Sequence, residues 1–146
     1  MGSGKTTLCN LLAKELGFPL FEEKVNENPY LADYYQEPRT WAFKSQLFYL
    51  KEKVSQLHEI QELLTRTSVI QDTPIYQDCF SYAHAQKFLG YMTDAEYAQY
   101  LSFFASHLPS LPVPHLIVQL DAPVEVLEER IQRRAQIGRA SCRERV

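Results

Sequence analysis

The feature that most constrains this chain is Gly2-Ser3-Gly4-Lys5-Thr6-Thr7, a glycine-rich turn that runs directly into an amphipathic stretch. Leu8, Leu11, Leu12 and Leu16 recur at helical spacing between Thr6 and Leu16, and Gly17 follows where a C-terminal cap belongs. Bare glycines let successive backbone N–H groups point into one concavity, and a helix N-terminus favours negative charge, so together they cradle an anion. The run matches the second half of the phosphate-binding pattern GxxxxGK[ST], whose first glycine falls two residues before Met1. In such a loop Gly2, Ser3, Gly4 and Thr7 supply backbone amides to the phosphates of ATP. Lys5 neutralises the outer phosphates, and the Thr6 hydroxyl ligates Mg²⁺. The pattern sits between a buried strand and a helix, so a further strand is expected ahead of Met1.

The rest of the chain alternates in the same manner. Phe18 to Phe21 reads as a short buried strand ending at Glu22-Glu23, with turn chemistry from Asn26 to Pro29. Trp41 to about Arg66 is a long amphipathic helix whose apolar stripe is Phe43, Leu47, Leu50, Val54, Leu57 and Leu64, with Gln46 and Lys53 on one edge of it. Ser68 to Asp72 reads as a second strand, closed by Thr73-Pro74, and Ile75 to Leu89 as a helix ended by Gly90. Thr93-Asp94-Ala95-Glu96 is a capping box opening a helix to about Leu108, and Pro109 to Pro114 is a rigid connector. His115 to Leu120 reads as a third strand and Asp121 to Ala135 as a final helix. Strands alternating with helices predict an α/β fold, a parallel sheet flanked by helices.

Ligands of such sheets bind beyond the C-terminal strand ends, which is where Glu22, Glu23 and Asp72 fall. One carboxylate there can take a proton from an attacking hydroxyl and another can hold Mg²⁺, which suits phosphoryl transfer to a small alcohol. Gln46 offers a donor and an acceptor side by side, as the edges of adenine, guanine or cytosine require.

Taken in order, these segments resemble the deoxynucleoside kinase family, particularly the bacterial deoxyadenosine and deoxyguanosine kinases, from Met1 to about Gln136. Glu22-Glu23-Lys24-Val25 followed by Asn28-Pro29-Tyr30-Leu31 is similar to the family's Glu-x-Val and NPxL segments. The resemblance implies that Glu23 is the catalytic base, with Glu22 as runner-up. The stretch from Tyr35 to Gln46 resembles the substrate helix, implying that Tyr35 holds the deoxyribose 3'-hydroxyl and Gln46 reads the base. Lys53 stands where the family often places an arginine near the base, and Asp78 where it places an acid that accepts from an exocyclic amine. Asp72-Thr73-Pro74 corresponds to an acid-Arg-Ser segment: Asp72 is the expected Mg²⁺ partner, whereas Thr73 replaces the family arginine. Arg130 and Arg134 resemble the first arginines of the lid that folds over the triphosphate. The implied activity is ATP-dependent phosphorylation of a deoxynucleoside 5'-hydroxyl, with a purine favoured and deoxycytidine as an alternative. The implied assembly is a homodimer in the full-length parent.

Two other readings stand beside it. A nucleoside monophosphate kinase of the thymidylate type shares the phosphate loop but needs additional cations for the acceptor's phosphate. A chain truncated at both ends could instead bind nucleotide without turnover, or be poorly soluble and inactive. Residues 137–146 read like the translation of a sequencing adapter that runs on into a stop, and are set apart from the partial kinase domain of residues 1–136. Composition excludes other classes. No apolar run approaches the roughly 18 residues of a membrane span. A formal net charge of -3 disfavours nucleic acid as partner. Cys9, Cys79 and Cys142, an odd set without a CxxC, fit a reducing, cytoplasmic setting. The aromatic run Tyr97, Tyr100, Phe103, Phe104 is expected to be core or a helix-pairing face.

Overall fold

A computed structural model describes residues 2–23 and 27–143, with side chains described as far as Arg133. Its elements are α1 (Lys5–Leu16), β1 (Leu20–Phe21), α2 (Leu31–Gln36), α3 (Pro38–Leu63) and β2 (Ile70–Gln71). They continue with α4 (Ile75–Gln77), a π-helical turn (Asp78–Ala83), α5 (His84–Phe88), α6 (Asp94–His107) and α7 (Val124–Arg143). β1 and β2 pair in parallel, Leu20 against Ile70 and Phe21 against Gln71. The ladder is carried at its ends by Ile70 N donating to Pro19 O and Asp72 N to Phe21 O, each at 2.9 Å. Both strands therefore end at the same edge, and Glu22, Glu23 and Asp72 leave the sheet together. Gly4 and Gly17 bracket α1 with φ of +93° and +67°, the left-handed backbone that glycine adopts without a steric cost.

The 26-residue α3 is the structural axis. Its buried residues Ala42, Gln46, Leu50, Lys53, Leu57 and Ile60 recur every three or four positions, a stripe at the helical period. Gln46 and Lys53 thus lie within the buried face, not on its edge as the sequence suggested. The helix is covered by α2, α4, α6 and the π-helical turn, and its Lys53 and Gln56 side chains reach the strand ends at Asp72 O and Glu22 O, which widens the buried arc past the apolar stripe. Leu50, Val54, Leu57 and Ile60 pack with Ile75, Cys79, Ala83, Tyr100 and Phe104, and Phe43, Leu47 and Leu64 flank them. Tyr100 and Phe104 are core, as expected of the aromatic run. Thr93 caps α6 reciprocally with Glu96: Glu96 N donates to Thr93 Oγ1 at 3.2 Å and Thr93 N to Glu96 Oε2 at 2.8 Å.

Three expectations are corrected. Residues 115–120 form no strand; Leu116, Ile117 and Val118 are 58–79% exposed and no strand lies beside them among the described residues. An apolar run can propose a strand, but only a neighbouring ladder makes one. The helix expected from Ile75 to Leu89 is interrupted by the π-helical turn at Asp78–Ala83. The last helix begins at Val124, after Pro123 O has accepted from Val126 N and Leu127 N, and extends to Arg143. The expected limit at Ala135 is the last position ahead of Gln136 and the adapter-like residues, and the helix runs on into that segment. No helix among the described residues is long and apolar enough to cross a membrane.

Leu50 is fully buried at the centre of α3, so Leu50→Ala is expected to lower the unfolding free energy by about 2–5 kcal/mol. Thr93→Ala, which removes one cap, should cost about 1 kcal/mol. Urea unfolding followed by circular dichroism checks the ranking; a larger loss at Thr93 would put the core elsewhere.

Candidate active site

The parallel register and the alternation of side chains along a strand send the two glutamates apart. Glu22 turns toward α1, where Asn10 Nδ2 donates to its Oε1 at 3.1 Å, and its backbone oxygen accepts from Gln56 Nε2 at 2.9 Å. Glu23 faces a cleft of about 450 Å³. One wall of that cleft is the phosphate loop, Gly2 to Thr7, and the other residues lining it include Tyr35, Gln46, Asp72, Thr73 and Asp78. Residues 24–26, which include two positions of the Glu-x-Val segment, lie outside the described residues.

The loop is held from two directions. Thr6 Oγ1 donates to Asp72 Oδ2 at 2.5 Å, joining the first turn of α1 to the end of β2. Arg130 Nη1 donates to Gly2 O at 2.9 Å, which docks α7 on the loop. Gly2 has φ +84°, a left-handed backbone that glycine adopts without strain, while a Cβ there would make only ordinary contact with Leu127 O at 3.4 Å. Arg134 falls on α7, but its side chain lies outside the described residues. Among those residues no three His, Cys, Asp or Glu side chains converge as a metal site. Thr6 and Asp72 offer one hydroxyl and one carboxylate, a hard oxygen pair of the kind Mg²⁺ takes when substrate phosphates complete its shell.

The acceptor end is assembled by the asparagine-proline turn. Asn28 is buried, its Oδ1 accepts from Tyr30 N at 2.9 Å, and its Nδ2 donates to Ser45 Oγ at 2.9 Å. The ring of Tyr30 stacks on Trp41 with centroids 5.8 Å apart, and Lys44 Nζ sits 4.5 Å from the centroid on the same indole. These contacts clamp α2 onto α3 beside Gln46 and bring Tyr34 and Tyr35 to the cleft. Tyr35 remains 68% exposed, whereas Gln46 is 9% exposed.

Asp78 occupies the first position of the π-helical turn, 2% exposed, with Oδ2 lacking a hydrogen-bond partner. Burial pushes its carboxyl up from 3.8 to about 7; Lys53 and Lys5 oppose that rise and Glu23 reinforces it. Tyr82 feels Glu23, Asp78 and Asp72, which with burial hold its hydroxyl above the usual tyrosine value. Three carboxylates therefore act on one point of the cleft. Burial also raises the Cys9 and Cys79 thiols, Cys79 to about 11, so neither of these two is an active nucleophile at neutral pH.

Lys53 departs from its expected place. It is 4% exposed, its Nζ donates to Asp72 O at 3.5 Å, and it lines a small hollow that adjoins the larger cleft and shares Glu23 and Tyr49 with it. Gln46 and Asp78 line the larger cleft and Lys53 does not. Thr73 carries φ +63°, a left-handed backbone that a β-branched residue rarely adopts, and its Oγ1 donates to Asp72 Oδ1 at 3.3 Å. Such outliers gather at functional sites. The sequence reading missed Tyr34, Tyr49, Tyr82 and Gln86, all of which line the cleft. The usable signal was the four-residue step from Asp78 to Tyr82 to Gln86, one face of a helix.

The position of Asp78 yields a pH dependence. A carboxyl whose folded value lies above its unfolded value stabilises the fold while protonated, and this contribution is lost as pH rises from about 4 to about 7. Relative to Asp78→Asn, the unmodified chain should lose on the order of 4 kcal/mol across that range. Parallel denaturation series of the two proteins at stepped pH measure the difference; a constant offset would mean that Asp78 ionises normally.

The family model described as deoxynucleoside kinase matches residues 1–143. A deoxyadenosine/deoxycytidine kinase of Bacillus subtilis is 34% identical over 140 residues, covering 93% of this chain and 63% of that protein. A deoxyadenosine kinase of Dictyostelium discoideum is 33% identical over 134 residues, covering 92% and 54%. The solved deoxyadenosine kinase from M. mycoides with bound dCTP superposes with a TM-score of 0.76 at 25% identity, covering 92% of this chain and 66% of that one. The chain thus spans somewhat less than two thirds of the length of these relatives. Matched by the deoxynucleoside kinase model along residues 1–143, this chain belongs to the deoxynucleoside kinase family.

Proposed function

We propose that this chain carries the catalytic cleft of an enzyme that transfers the γ-phosphoryl group of ATP to the 5'-hydroxyl of a deoxynucleoside. The observation that carries the reading is that the phosphate loop, Glu23, Gln46 and Asp78 all line one cleft. Backbone amides of residues 2–7 and Lys5 bind the triphosphate, and Arg130, already bonded to the loop at Gly2 O, lies at the edge from which a cation can cover it. Thr6 and Asp72 would hold Mg²⁺, which would supply charge compensation to the phosphates. Glu23 accepts the proton of the 5'-hydroxyl. Tyr35 meets the sugar. Gln46 pairs with the base edge through its amide, and Asp78 accepts from an exocyclic amine when ionised. Because transfer passes through a loose transition state, positioning and charge compensation outweigh the proton transfer itself.

Lys5 is the sole Lys or Arg lining this cleft among the described residues. With Lys5 committed to the triphosphate, a phosphate on the acceptor would meet no further Lys or Arg among the described residues that line the cleft, which favours a neutral nucleoside over a monophosphate. Deoxyadenosine, deoxyguanosine and deoxycytidine each offer an amine to Asp78; thymidine does not.

The test is ATP-dependent ADP release by the protein carried to the full length of its relatives, assayed with the four deoxynucleosides and thymidylate. Turnover is expected with the amine-bearing nucleosides. Glu23→Gln should lower kcat by roughly 10²–10⁴-fold with little change in nucleoside KM, and Lys5→Met should lower it at least as far. Turnover with thymidylate alone would replace this reading with a monophosphate kinase.

A further inference from the structure

Gln86 lies on α5 with its side-chain oxygen already engaged, since the Tyr34 hydroxyl donates to Gln86 Oε1 at 3.0 Å. Both side chains are half-buried and both line the cleft. A primary amide whose oxygen is taken has two N–H groups left to offer, so the chemistry Gln86 presents to a ligand is donation. Asp78, Tyr82 and Gln86 step by four residues and all face the cleft. In a regular α-helix eight residues drift off one face, and the wider π-helical turn between Asp78 and Ala83 holds back that drift. The rise over this interval is roughly 10–12 Å. Asp78 and Gln86 therefore stand at opposite ends of one wall. Gln86 is at the end bonded to Tyr34 of α2, and the separation suits a base and its sugar together better than a base alone.

We propose that Gln86, oriented by Tyr34, is a specificity-determining residue for the sugar: its Nε2 donates to the 3'-oxygen of the deoxyribose, so that a free 3'-hydroxyl is part of what the cleft selects. The proposal rests on the kinase reading above and deepens it. Tyr35 alone is poorly placed to enforce that selection, because its side chain is 68% exposed and water competes for its hydroxyl. A half-buried amide already anchored on one side gives up little freedom when it binds, and it leaves an unpaired donor in the wall when the 3'-oxygen is missing. Sites built to hydrogen-bond a hydroxyl reject analogues lacking it for this reason.

The experiment compares kcat/KM for a 2'-deoxynucleoside and for its 2',3'-dideoxy counterpart bearing the same base, using the protein at full family length. Gln86→Met keeps the side chain's length and removes the donor. It is expected to lower kcat/KM for the deoxynucleoside about tenfold, mainly through KM, and to leave the dideoxynucleoside within about twofold. Tyr34→Phe leaves the amide but releases its oxygen, and should reduce the 3'-hydroxyl preference about threefold, which guards against a Gln86 variant that folds poorly. Equal losses on both sugars, or an undiminished preference in both variants, would overturn the assignment. So would a changed preference among bases with the sugar preference intact, since that would make Gln86 a base reader. An unmodified enzyme that turned over no nucleoside would fail the kinase reading itself and this role with it. Turnover with unaltered sugar preference in the variants would sink the role of Gln86 alone.

Discussion

Everything chemical in this chain depends on one parallel pairing. Leu20 against Ile70 and Phe21 against Gln71 set the register in which β1 and β2 end together, at the N-terminus of α1. A slip by one residue would exchange the faces of Glu22 and Glu23, placing the glutamate that is tied to Asn10 in the cleft and the other against α1. The same edge receives Asp72, whose carboxylate takes the Thr6 hydroxyl at 2.5 Å and so fixes the phosphate loop to the sheet. Two strands of two residues each are a small ladder for such a task. Their alignment is sustained from outside, by α1 on one side and by the Gln56 side chain of α3, which donates to Glu22 O.

The acceptor side is built by a different means. Helix α3 is long enough to serve both the core and the cleft, so its buried stripe is apolar at Leu50, Leu57 and Ile60 and polar at Ser45, Gln46 and Lys53. Buried polar side chains are costly unless paired. Ser45 is paired through Asn28, and Lys53 through the Asp72 carbonyl and the field of Asp78. Asp78 keeps one oxygen without a partner. Its raised carboxyl and the left-handed Thr73 backbone nearby in sequence are two places where local stability is given up within the cleft.

Much of this was legible in the residue order. The glycine-rich turn, the helix behind it, the two strand ends with their acids, the reciprocal cap at Thr93 and Glu96 and the aromatic core of α6 all follow from local chemistry and period, and the structure has them. The illegible parts share a cause. Residues 115–120 look like a strand because they are apolar, yet pairing is a property of two segments, and no strand lies beside them among the described residues. Gln46 and Lys53 looked like edge positions because a hydrophobic stripe says which face is apolar, not how wide an arc the neighbours cover. Lys53 then separates from Gln46 by its side chain's direction: the glutamine lines the cleft and the lysine lines the adjoining hollow.

By itself the sequence determined which chemical groups are present and in what order. An anion cradle comes first, then acids at strand ends, an amide on a long helix, and an acid and further polar groups on the next helical segment. Short-range forces suffice for that, because turns, caps and helical period act over a few residues. Only the tertiary structure decided which groups meet. The sheet register chose Glu23 over Glu22 for the cleft, the π-helical turn aligned Asp78, Tyr82 and Gln86, and the docking of α2 gave Gln86 a partner in Tyr34. Those choices rest on contacts between segments up to tens of residues apart, whose energies depend on the packing of the whole and are written in no single stretch of the chain.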